Sequence, residues 1–297
     1  MISQKGALLF SILGSIPDVS TDFCRASSID SSLFANLYKT QSHPMPMKKD
    51  QIKALLKSIE TGDPEPVSVV NEAKYIQHNP QTHEGSEGLA SLFKRLALTG
   101  PRVNIVRAFE DGDFVFAHTE YDFSKRNIGF EVFRFEDGKA VEHWDNIQPR
   151  QGPNASGRSM VDGPVLAEDH ALTEANRELV RAFVTRVLIE RTSDRIVDYV
   201  DSIQYAEHNP DMTDDLSQLH RKLTDRHHGS YRMDYTKSHR ILAEGSFVLS
   251  VCEGFFENRH SAFYDLFRVK SGKIVEHWDT REAIAPKEEW KNNNGKF

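Results

Sequence analysis

The chain has 297 residues, of which 38% are hydrophobic and 27% are charged, and its formal net charge is -7. This composition is typical of a soluble globular protein and argues against a disordered chain or a membrane protein. The acidic balance also argues against a nucleic-acid partner, because phosphate binding relies on clustered Lys and Arg. The length is sufficient for two domains of ordinary size, each with its own core.

Residues 1–47 are expected to form a poorly ordered, Ser-rich extension before the folded sequence. An apolar run at residues 6–16, after Lys5, resembles a weak signal-peptide core, but it is too short to span a bilayer. The only cysteines, Cys24 and Cys252, lie in unlike contexts, which argues against a disulfide framework or a thiolate zinc site. We therefore expect a cytoplasmic protein.

Predicted helices precede predicted strands in residues 48–150. Apolar residues at helical spacing predict three helices, at 51–60, 67–75 and 86–98. β-Branched and aromatic residues predict four strands, at 103–109, 114–121, 128–135 and 139–145. Turn sequences separate the strands, so an antiparallel meander is expected.

The same order of elements returns after residues 151–171, which are rich in Gly, Pro, Ser and Asn and are interpreted as a linker. The second set of predicted helices lies at 176–187, 193–200 and 215–227. The second set of strands lies at 231–239, 247–255, 262–269 and 273–279. Helices followed by antiparallel strands indicate an α+β fold, here in two domains at 48–150 and 172–297.

Two short motifs occur twice and in the same order. The sequence Tyr-x-x-His-Asn-Pro at 75–80 returns at 205–210, and Glu-His-Trp-Asp at 142–145 returns at 276–279. The shift is 130 residues for the first motif (208 minus 78) and 134 for the second (278 minus 144). This nearly constant shift indicates duplication of a whole folded unit. Polar residues kept in both copies are therefore the first candidates for a functional site.

Both copies resemble the SnoaL-like, or polyketide cyclase-like, family of the nuclear transport factor two superfamily. The resemblance rests on the two motifs above, with a late Phe-Arg and a Gly-Lys turn between them, and covers roughly residues 50–150 and 172–285. It implies two cone-shaped domains, each with three helices packed on a curved antiparallel sheet. It also implies a pocket between the helices and the concave face of each sheet, but it does not define the reaction, since one fold hosts many chemistries.

Strand pairing predicts which side chains share a face of the sheet. If Asp137 and Gly138 form a two-residue turn, regular pairing places Glu131 opposite Trp144. One face would then carry Glu131, Phe133, Phe135, Glu142 and Trp144, and the other Val132, Arg134, His143 and Asp145. The second copy repeats the pattern, with Asp265, Phe267, Val269, Glu276 and Trp278 opposite Leu266, Arg268, His277 and Asp279.

The candidate catalytic residues are His78, Glu131, Asp145, His208, Asp265 and Asp279. An acid among aromatic side chains suits general acid or base work, although it can equally be a structural carboxylate bonded to Arg or Tyr. A His can transfer a proton near neutral pH, although a His at a helix end can also interact with the helix dipole. The resemblance to the cyclases, which use an Asp with a His partner, favours the catalytic interpretation.

The candidate substrate-binding residues are Tyr75, Asn79, Trp144, Tyr205, Asn209 and Trp278. An Asn side chain can hydrogen-bond an enolate or carbonyl oxygen, although Asn before Pro also ends helices. The two tryptophans are most simply core residues that seal the cone.

These residues favour a cofactor-independent enzyme that acts on a small apolar carbonyl compound by aldol-type cyclisation, isomerisation or dehydration. No metal is predicted, because the histidines of the second copy fit no standard zinc spacing. The alternative is a non-catalytic protein of the same fold that binds a hydrophobic ligand or dimerises. Because the relatives form dimers, the tandem copies are expected to pack as an intramolecular pseudo-dimer. In such an arrangement one copy can lose its activity and serve only as the structural partner of the other.

Overall fold

The computed structural model of the protein describes residues 46–297. The predicted extension over residues 1–47, with its apolar run and Cys24, lies outside this range apart from its last two residues. Among the described helices, none combines the length and the apolar character that crossing a membrane would need.

The N-terminal half, residues 48–150, contains two α-helices and a five-stranded sheet. The helices are α1 (Lys48–Thr61) and α2 (Gly85–Ala97). The strands are β1 (Ile76–Gln77), β2 (Arg102–Asp111), β3 (Phe114–Asp122), β4 (Arg126–Glu136) and β5 (Lys139–Pro149).

The helix predicted at 67–75 is wrong. A 3₁₀ turn at Glu65–Val69 replaces it, and Val70 then forms a bridge with Ala140 of β5. Three β-branched valines in four positions lower the helical propensity of this stretch and favour extended backbone. The chain therefore enters β1 in an extended conformation, which places the residues after β1 beside the sheet.

The C-terminal half, residues 172–297, repeats the arrangement. Its helices are α3 (Thr173–Phe183), which continues as a π-helical stretch at Val184–Ile189, α4 (Ile196–Tyr199) and α5 (Leu216–Thr224). Its sheet consists of β6 (Ala206–Glu207), β9 (Met233–Glu244), β10 (Phe247–Phe256), β11 (Arg259–Lys270) and β12 (Lys273–Ala283). A small hairpin of β7 (Arg226–His227) and β8 (Ser230–Tyr231) precedes β9.

The two sheets have the same topology. Their strand orders are β1-β5-β4-β3-β2 and β6-β12-β11-β10-β9, and the four long strands of each are antiparallel. The two-residue strands β1 and β6 run parallel to β5 and β12, so neither sheet is wholly antiparallel. Each sheet ends in two edge strands, so neither is a closed barrel. The predicted α+β class with two sheet-and-helix units is confirmed.

A β-bulge in each last hairpin overturns the predicted faces. The register shifts between Arg134 and Phe135, which leaves Val141 as the extra residue and pairs Glu131 with Asp145 instead of Trp144. The inner face, toward the helices, therefore carries Glu131, Phe133, His143 and Asp145, and the outer face carries Val132, Arg134, Glu142 and Trp144. An equivalent shift after Arg268 places Asp265, Phe267, His277 and Asp279 inside and Leu266, Glu276 and Trp278 outside.

Three apolar clusters form the core. One lies between the helices and the inner face of the first sheet, and a second lies in the same place in the C-terminal half. The third takes side chains from the outer faces of both sheets, including Phe116, Phe130, Trp144, Leu249, Tyr264 and Trp278. The Asn146 side chain also donates a hydrogen bond to the Thr280 carbonyl, 2.8 Å away, so polar contacts join the two sheets as well.

Trp144 and Trp278 are each enclosed between a His of their own half and an Arg of the other half. The Trp144 ring stacks on His78 at 4.7 Å, and the Arg240 guanidinium lies 3.8 Å from the Trp144 ring centroid. The same arrangement in the other half involves His208, Trp278 and Arg107. These tryptophans pack between the sheets and do not reach the inner faces.

Candidate functional site

A cavity of about 230 Å³ lies between α1, α2 and the inner face of the first sheet. Its apolar wall includes Leu55, Leu56, Ile59, Phe93, Phe123 and Phe133. An apolar cavity of about 150 Å³ is enough to bind benzene. The cavity therefore has room for a compound of one or two rings.

Polar side chains line one side of this cavity and are mostly buried. They are Tyr75, Gln77, Asn79, Tyr121, Glu131, His143 and Asp145. β4 and β5 present the two acids and the histidine on neighbouring strand positions, while Gln77 comes from β1 and Asn79 from the loop after it. A small set of polar groups in an apolar cavity is the usual composition of a ligand site.

The hydrogen bonds of Gln77 define which nitrogen of His143 carries a proton. The Asn79 backbone N–H donates to Gln77 Oε1 at 2.8 Å, so the amide oxygen of Gln77 faces this region. His143 Nδ1 lies 3.0 Å from the same oxygen, and a carbonyl oxygen can only accept. Nδ1 of His143 is therefore a donor, and its Nε2 is the nitrogen that can gain or lose a proton.

His143 Nε2 lies 2.8 Å from Glu131 Oε2, and the Tyr121 hydroxyl donates to Glu131 Oε1 at 2.8 Å. The carboxyl group and the imidazole can share one proton across this contact. Burial raises the pKa of Tyr121 well above its ordinary value, and the Glu131 charge adds to this, so Tyr121 stays a hydrogen-bond donor. The three residues form a chain through which a proton can be held or passed.

The Asp145 carboxyl group contacts the side-chain amide of Asn79 and a lysine from the far end of the sequence. The Asn79 Nδ2 group donates to Asp145 Oδ2 at 2.6 Å, and the Gln81 backbone N–H donates to Asn79 Oδ1, which fixes the amide orientation. The Lys296 ammonium lies 3.4 Å from Asp145 Oδ1. Asp145 is thus a buried carboxylate with both oxygens oriented and with lone pairs left for a ligand.

The Tyr75 hydroxyl donates no hydrogen bond within the described part of the chain, although its side chain is only 5% exposed and lines the cavity. Burial raises the pKa of Tyr75 well above its ordinary value, and the charges of Glu131 and Asp145 raise it further. The phenol is therefore a protonated donor at neutral pH. Its oxygen is not fully buried, so this hydroxyl is available to a ligand oxygen in the cavity.

The corresponding cavity in the C-terminal half is almost filled, at about 30 Å³. Phe183 of α3 packs edge-on against Phe267 with ring centroids 5.6 Å apart. Met212 takes the place of Thr82, since both backbone N–H groups donate to the preceding Asn carbonyl at the same step of the repeat. The remaining space is suited to water and excludes a ring compound.

An exchange of aromatic positions contributes to this difference. Gly129 of β4 lies under Tyr121, and a Cβ atom at Gly129 would approach the Tyr121 ring to 2.7 Å. In the C-terminal half the same strand position holds Phe263, and Gly254 replaces the tyrosine of β3. The hydroxyl that bonds the acid comes from Tyr235 on the next strand. The two halves thus build the same acid–tyrosine contact from different strands.

The charge state of the histidine also differs between the halves. His277 Nδ1 lies 2.9 Å from Glu207, which replaces Gln77, and its Nε2 lies 3.1 Å from Asp265. Burial alone would lower the pKa of His277, but the two carboxylates raise it well above its ordinary value. Both nitrogens then carry protons. Glu207 also accepts the Tyr205 hydroxyl at 2.6 Å, so the second half keeps neither a free imidazole nitrogen nor a free phenol.

Asp279 gives a prediction about stability. Burial raises the pKa of Asp279 to about 6, against the opposing charge of His277, and its Oδ1 has no hydrogen-bond partner within residues 46–297. An acid whose pKa is raised by folding contributes stability that is fully present below the pKa of the unfolded state, here about 4. This contribution is lost as the pH rises through the pKa of the folded state, about 6. Asp279→Asn is therefore expected to stabilise the protein above pH 6, by on the order of 3 kcal/mol at most, with little effect near pH 4.

The measurement is urea unfolding of the wild type and Asp279→Asn between pH 4 and pH 8. Asp211→Asn is the control, because Asp211 is exposed in the loop that carries Asn209. This variant should follow the wild type at every pH. If the free energy of unfolding changes with pH in the same way in the wild type and Asp279→Asn, ionisation of Asp279 does not destabilise the folded state.

Eight of the twelve predicted site residues line the two cavities. They are Tyr75, Asn79, Glu131 and Asp145 in the first and Tyr205, Asn209, Asp265 and Asp279 in the second. The other four, His78, Trp144, His208 and Trp278, lie outside, which corrects their predicted placement. His78 Nε2 instead contacts Glu142 at 2.9 Å on the outer face, and His208 contacts Glu276 in the same way.

His143, His277, Gln77 and Tyr121 are the cavity residues that the sequence interpretation missed. The two histidines belong to the repeated Glu-His-Trp-Asp motif, so the repeat itself was the signal. The regular register assigned them to the wrong face, because it contained no bulge.

Within residues 46–297, Glu131, His143 and Asp145 form a group that could hold a metal ion. Each offers one ligand atom, and these atoms lie within 4.8 Å of one another. The Glu131 carboxyl group already contacts His143 Nε2, and Asp145 contacts the Lys296 ammonium. A divalent cation would have to replace both of these contacts.

Comparison with known proteins finds a family match within the N-terminal half. The profile of the SnoaL-like domain family matches residues 52–143. TsrD from Streptomyces laurentii is similar in structure, with 21% identity and a TM-score of 0.30 over 33% of this chain and 86% of TsrD. IdmH from Streptomyces antibioticus, a proposed polyketide cyclase, has 18% identity and a TM-score of 0.30 over 33% of this chain and 90% of IdmH.

An epoxide hydrolase of Mycobacterium tuberculosis, of the LEH-like type, has 19% identity and a TM-score of 0.30 over 34% of this chain and 81% of its own. A search of curated protein sequences gives no significant match. Residues 52–143 therefore form a SnoaL-like domain.

Proposed function

We propose that the cavity of the N-terminal half is the active site of an enzyme that performs acid/base chemistry on a small, largely apolar carbonyl compound. The observation that supports this most is the pairing of the Asp145 carboxylate with the unpartnered Tyr75 hydroxyl in one apolar cavity. The match to the SnoaL-like family is consistent with an enzyme but does not define the reaction.

In the proposed mechanism, Asp145 removes a proton from the carbon next to the carbonyl group, and the C–H electron pair forms the enolate. The Tyr75 hydroxyl donates to the developing oxyanion, which is the interaction that contributes most in reactions of this kind. The apolar walls exclude water and strengthen both interactions. The Glu131–His143 pair orients the site and supplies or accepts the proton of a later step.

The enolate is common to aldol-type cyclisation, isomerisation and dehydration. In cyclisation it attacks a second carbonyl carbon of the same molecule. In isomerisation the proton held on Asp145 returns to a different carbon, and in dehydration a β-hydroxyl group leaves with a proton. The choice among the three depends on the substrate and not on the residues that form the enolate.

We further propose that residues 172–297 are a second, structural copy of the same domain and that residues 48–150 and 172–297 arose by duplication. The extension 1–47 and the segment 151–171 then flank the first domain. The packing of both outer faces in one apolar cluster supports an intramolecular pseudo-dimer. The filled cavity and the doubly bonded His277 support a loss of catalysis in this copy. A cytoplasmic location stays a prediction.

The experiment uses two probes that fit the cavity. Hydrogen–deuterium exchange at the α-carbon of 2-tetralone in D₂O, followed by NMR, reports enolate formation. Fluorescence titration with 2-naphthol, a planar analogue of the enol, reports binding. We expect exchange above the buffer rate and binding of 2-naphthol, both weakened in Tyr75→Phe and unchanged in Tyr205→Phe.

Binding of 2-naphthol without any exchange would contradict the proposed enzyme. It would favour the alternative, a non-catalytic protein that binds an apolar ligand. Exchange that is lost on addition of EDTA and restored by Zn²⁺ would assign the chemistry to a metal held by Glu131, His143 and Asp145. Equal loss in Tyr75→Phe and Tyr205→Phe would contradict the assignment of the site to the N-terminal half.

A further inference from the structure

The last residues of the chain lie on the loop that carries the amides of the candidate site. The Asn292 side chain donates to the carbonyls of Asn79 and Thr82, at 2.8 Å and 2.9 Å. The Asn294 side chain donates to the Gln77 carbonyl at 3.0 Å. The C-terminal segment, residues 285–297, therefore fixes the backbone of the loop from the other half of the chain.

The segment that joins the two halves makes the reciprocal contact. The Asn154 side chain donates to the carbonyls of Glu207 and Asn209 at 2.6 Å and 3.3 Å. The sequence Asn-x-x-Gly followed by a basic residue is common to 154–158 and 292–296, and its glycine has φ of 79° in one copy and 80° in the other. Each half thus contributes a segment that covers the loop of its neighbour.

The basic residue of this motif has a different environment in each copy. Arg158 pairs with Asp214 near the surface, with 39% of its side chain exposed. Lys296 is only 3% exposed, and its ammonium lies 2.9 Å from Glu282 and 3.4 Å from Asp145. Burial of an unpaired lysine would be costly, so the two carboxylates are what retain the charge in this position.

The C-terminal half is an internal comparison for this contact. Asp279 occupies the position of Asp145 and accepts the equivalent amide hydrogen bond from Asn209 at 2.8 Å. No ammonium group replaces Lys296 there, and Asp279 Oδ1 is without a partner among the described residues. Burial raises the pKa of Asp279 to about 6. The contact with an ammonium group is thus one difference between the two carboxylates, beside the exchange of Gln77 for Glu207 described above.

We propose that Lys296 is a positioning residue that pairs with the Asp145 carboxylate and orients it, so that the C-terminal segment completes the site of the N-terminal half. This inference rests on the proposed role of Asp145 as the base. The titratable groups around Asp145 are Glu131, His143, Tyr75, Tyr121, Tyr264, Glu282 and Lys296. Lys296 is the one cation among them when His143 is neutral.

The experiment compares Lys296→Met, Lys296→Arg and Lys291→Met in the full chain. Lys291 is an exposed lysine of the same segment and serves as the matched control. The side-chain amide signal of Asn79, which donates to Asp145 Oδ2 at 2.6 Å, is followed by NMR at pH 7 together with exchange of 2-tetralone and binding of 2-naphthol. Lys296→Gln replaces Lys296→Met if the latter does not fold.

In Lys296→Met we expect the Asn79 amide signal to move, because the Asp145 carboxyl group that accepts from it has lost its other partner. Exchange should fall about 10-fold or more while 2-naphthol still binds, since a misplaced base slows the proton transfer more than it weakens binding. Lys296→Arg should restore most of both readouts, and Lys291→Met should match the wild type.

An Asn79 amide signal that is the same in Lys296→Met and the wild type would overturn the inference, even if activity falls through loss of structure. The NMR readout does not need turnover. If the wild type shows no exchange at all, the proposed function fails, and the Asn79 signal alone still decides whether Lys296 positions Asp145.

Discussion

Asp145→Asn is expected to reduce exchange of the 2-tetralone α-proton by about 10²- to 10⁴-fold, the usual contribution of a general base. The amide is nearly isosteric and keeps an oxygen for the Asn79 hydrogen bond, so the loop should not move. Lys296 retains its contact with Glu282, at 2.9 Å. Loss of activity would then report loss of the basic oxygen and not a change of fold.

The matched control is Asp279→Asn, the same substitution at the equivalent strand position of the other half. It should leave exchange unchanged, because its cavity of about 30 Å³ does not admit the probe. Both variants are tested for binding of 2-naphthol, which should survive in each. Exchange that falls equally in the two variants, or only in Asp279→Asn, would contradict the assignment of the base.

Gln77→Glu is expected to inactivate the site by giving it the charge pattern of the C-terminal half. A carboxylate at this position would face His143 Nδ1, as Glu207 faces His277 at 2.9 Å. It would also attract the Tyr75 hydroxyl, as Glu207 holds the Tyr205 hydroxyl at 2.6 Å. Loss of one oxyanion donor typically lowers a rate by about 10²- to 10³-fold, and we expect an effect of this size.

The control for this change is Glu207→Gln, which should not affect exchange, although it removes a partner of His277. The direct readout is the ¹⁵N spectrum of His143, which should show two protonated nitrogens at pH 7 in Gln77→Glu. An active Gln77→Glu variant with an unchanged His143 spectrum would show that the amide does not govern the site.

The sequence was sufficient to predict the α+β class and the positions of the four long strands in each half. These elements depend on local periodicity and on turn residues, which are both legible in one chain. The middle helix of the N-terminal half was wrong, because three valines among four residues favour extended backbone. Val67 and Val69 would also lie on opposite sides of a helix, so periodicity gives no support to a helix at this position.

The identity of the cavity residues was only partly predictable. Glu131 and Asp145 do line the cavity, but their predicted neighbours Trp144 and His78 belong to the packing between the sheets. A single extra residue, Val141, moves every later side chain of β5 to the opposite face. Nothing in the local sequence distinguishes this bulge from a regular hairpin.

The contribution of Lys296 and the filling of the second cavity depend on contacts between distant parts of the chain. Lys296 is 151 residues from Asp145, and its role requires the two halves to be packed together. The second cavity is closed by side chains such as Phe183 and Met212, which are ordinary core residues in the sequence. Such features become visible only when both halves are compared in three dimensions.

A crystal structure of the protein with 2-naphthol tests the central claim most directly. We expect the naphthalene rings among Leu55, Phe93 and Phe133, with the ligand hydroxyl within hydrogen-bond distance of Tyr75 and close to Asp145. The cavity of the C-terminal half should be free of ligand. A ligand bound only in the C-terminal half, or one in the first cavity with its oxygen turned away from Tyr75 and Asp145, would contradict the account.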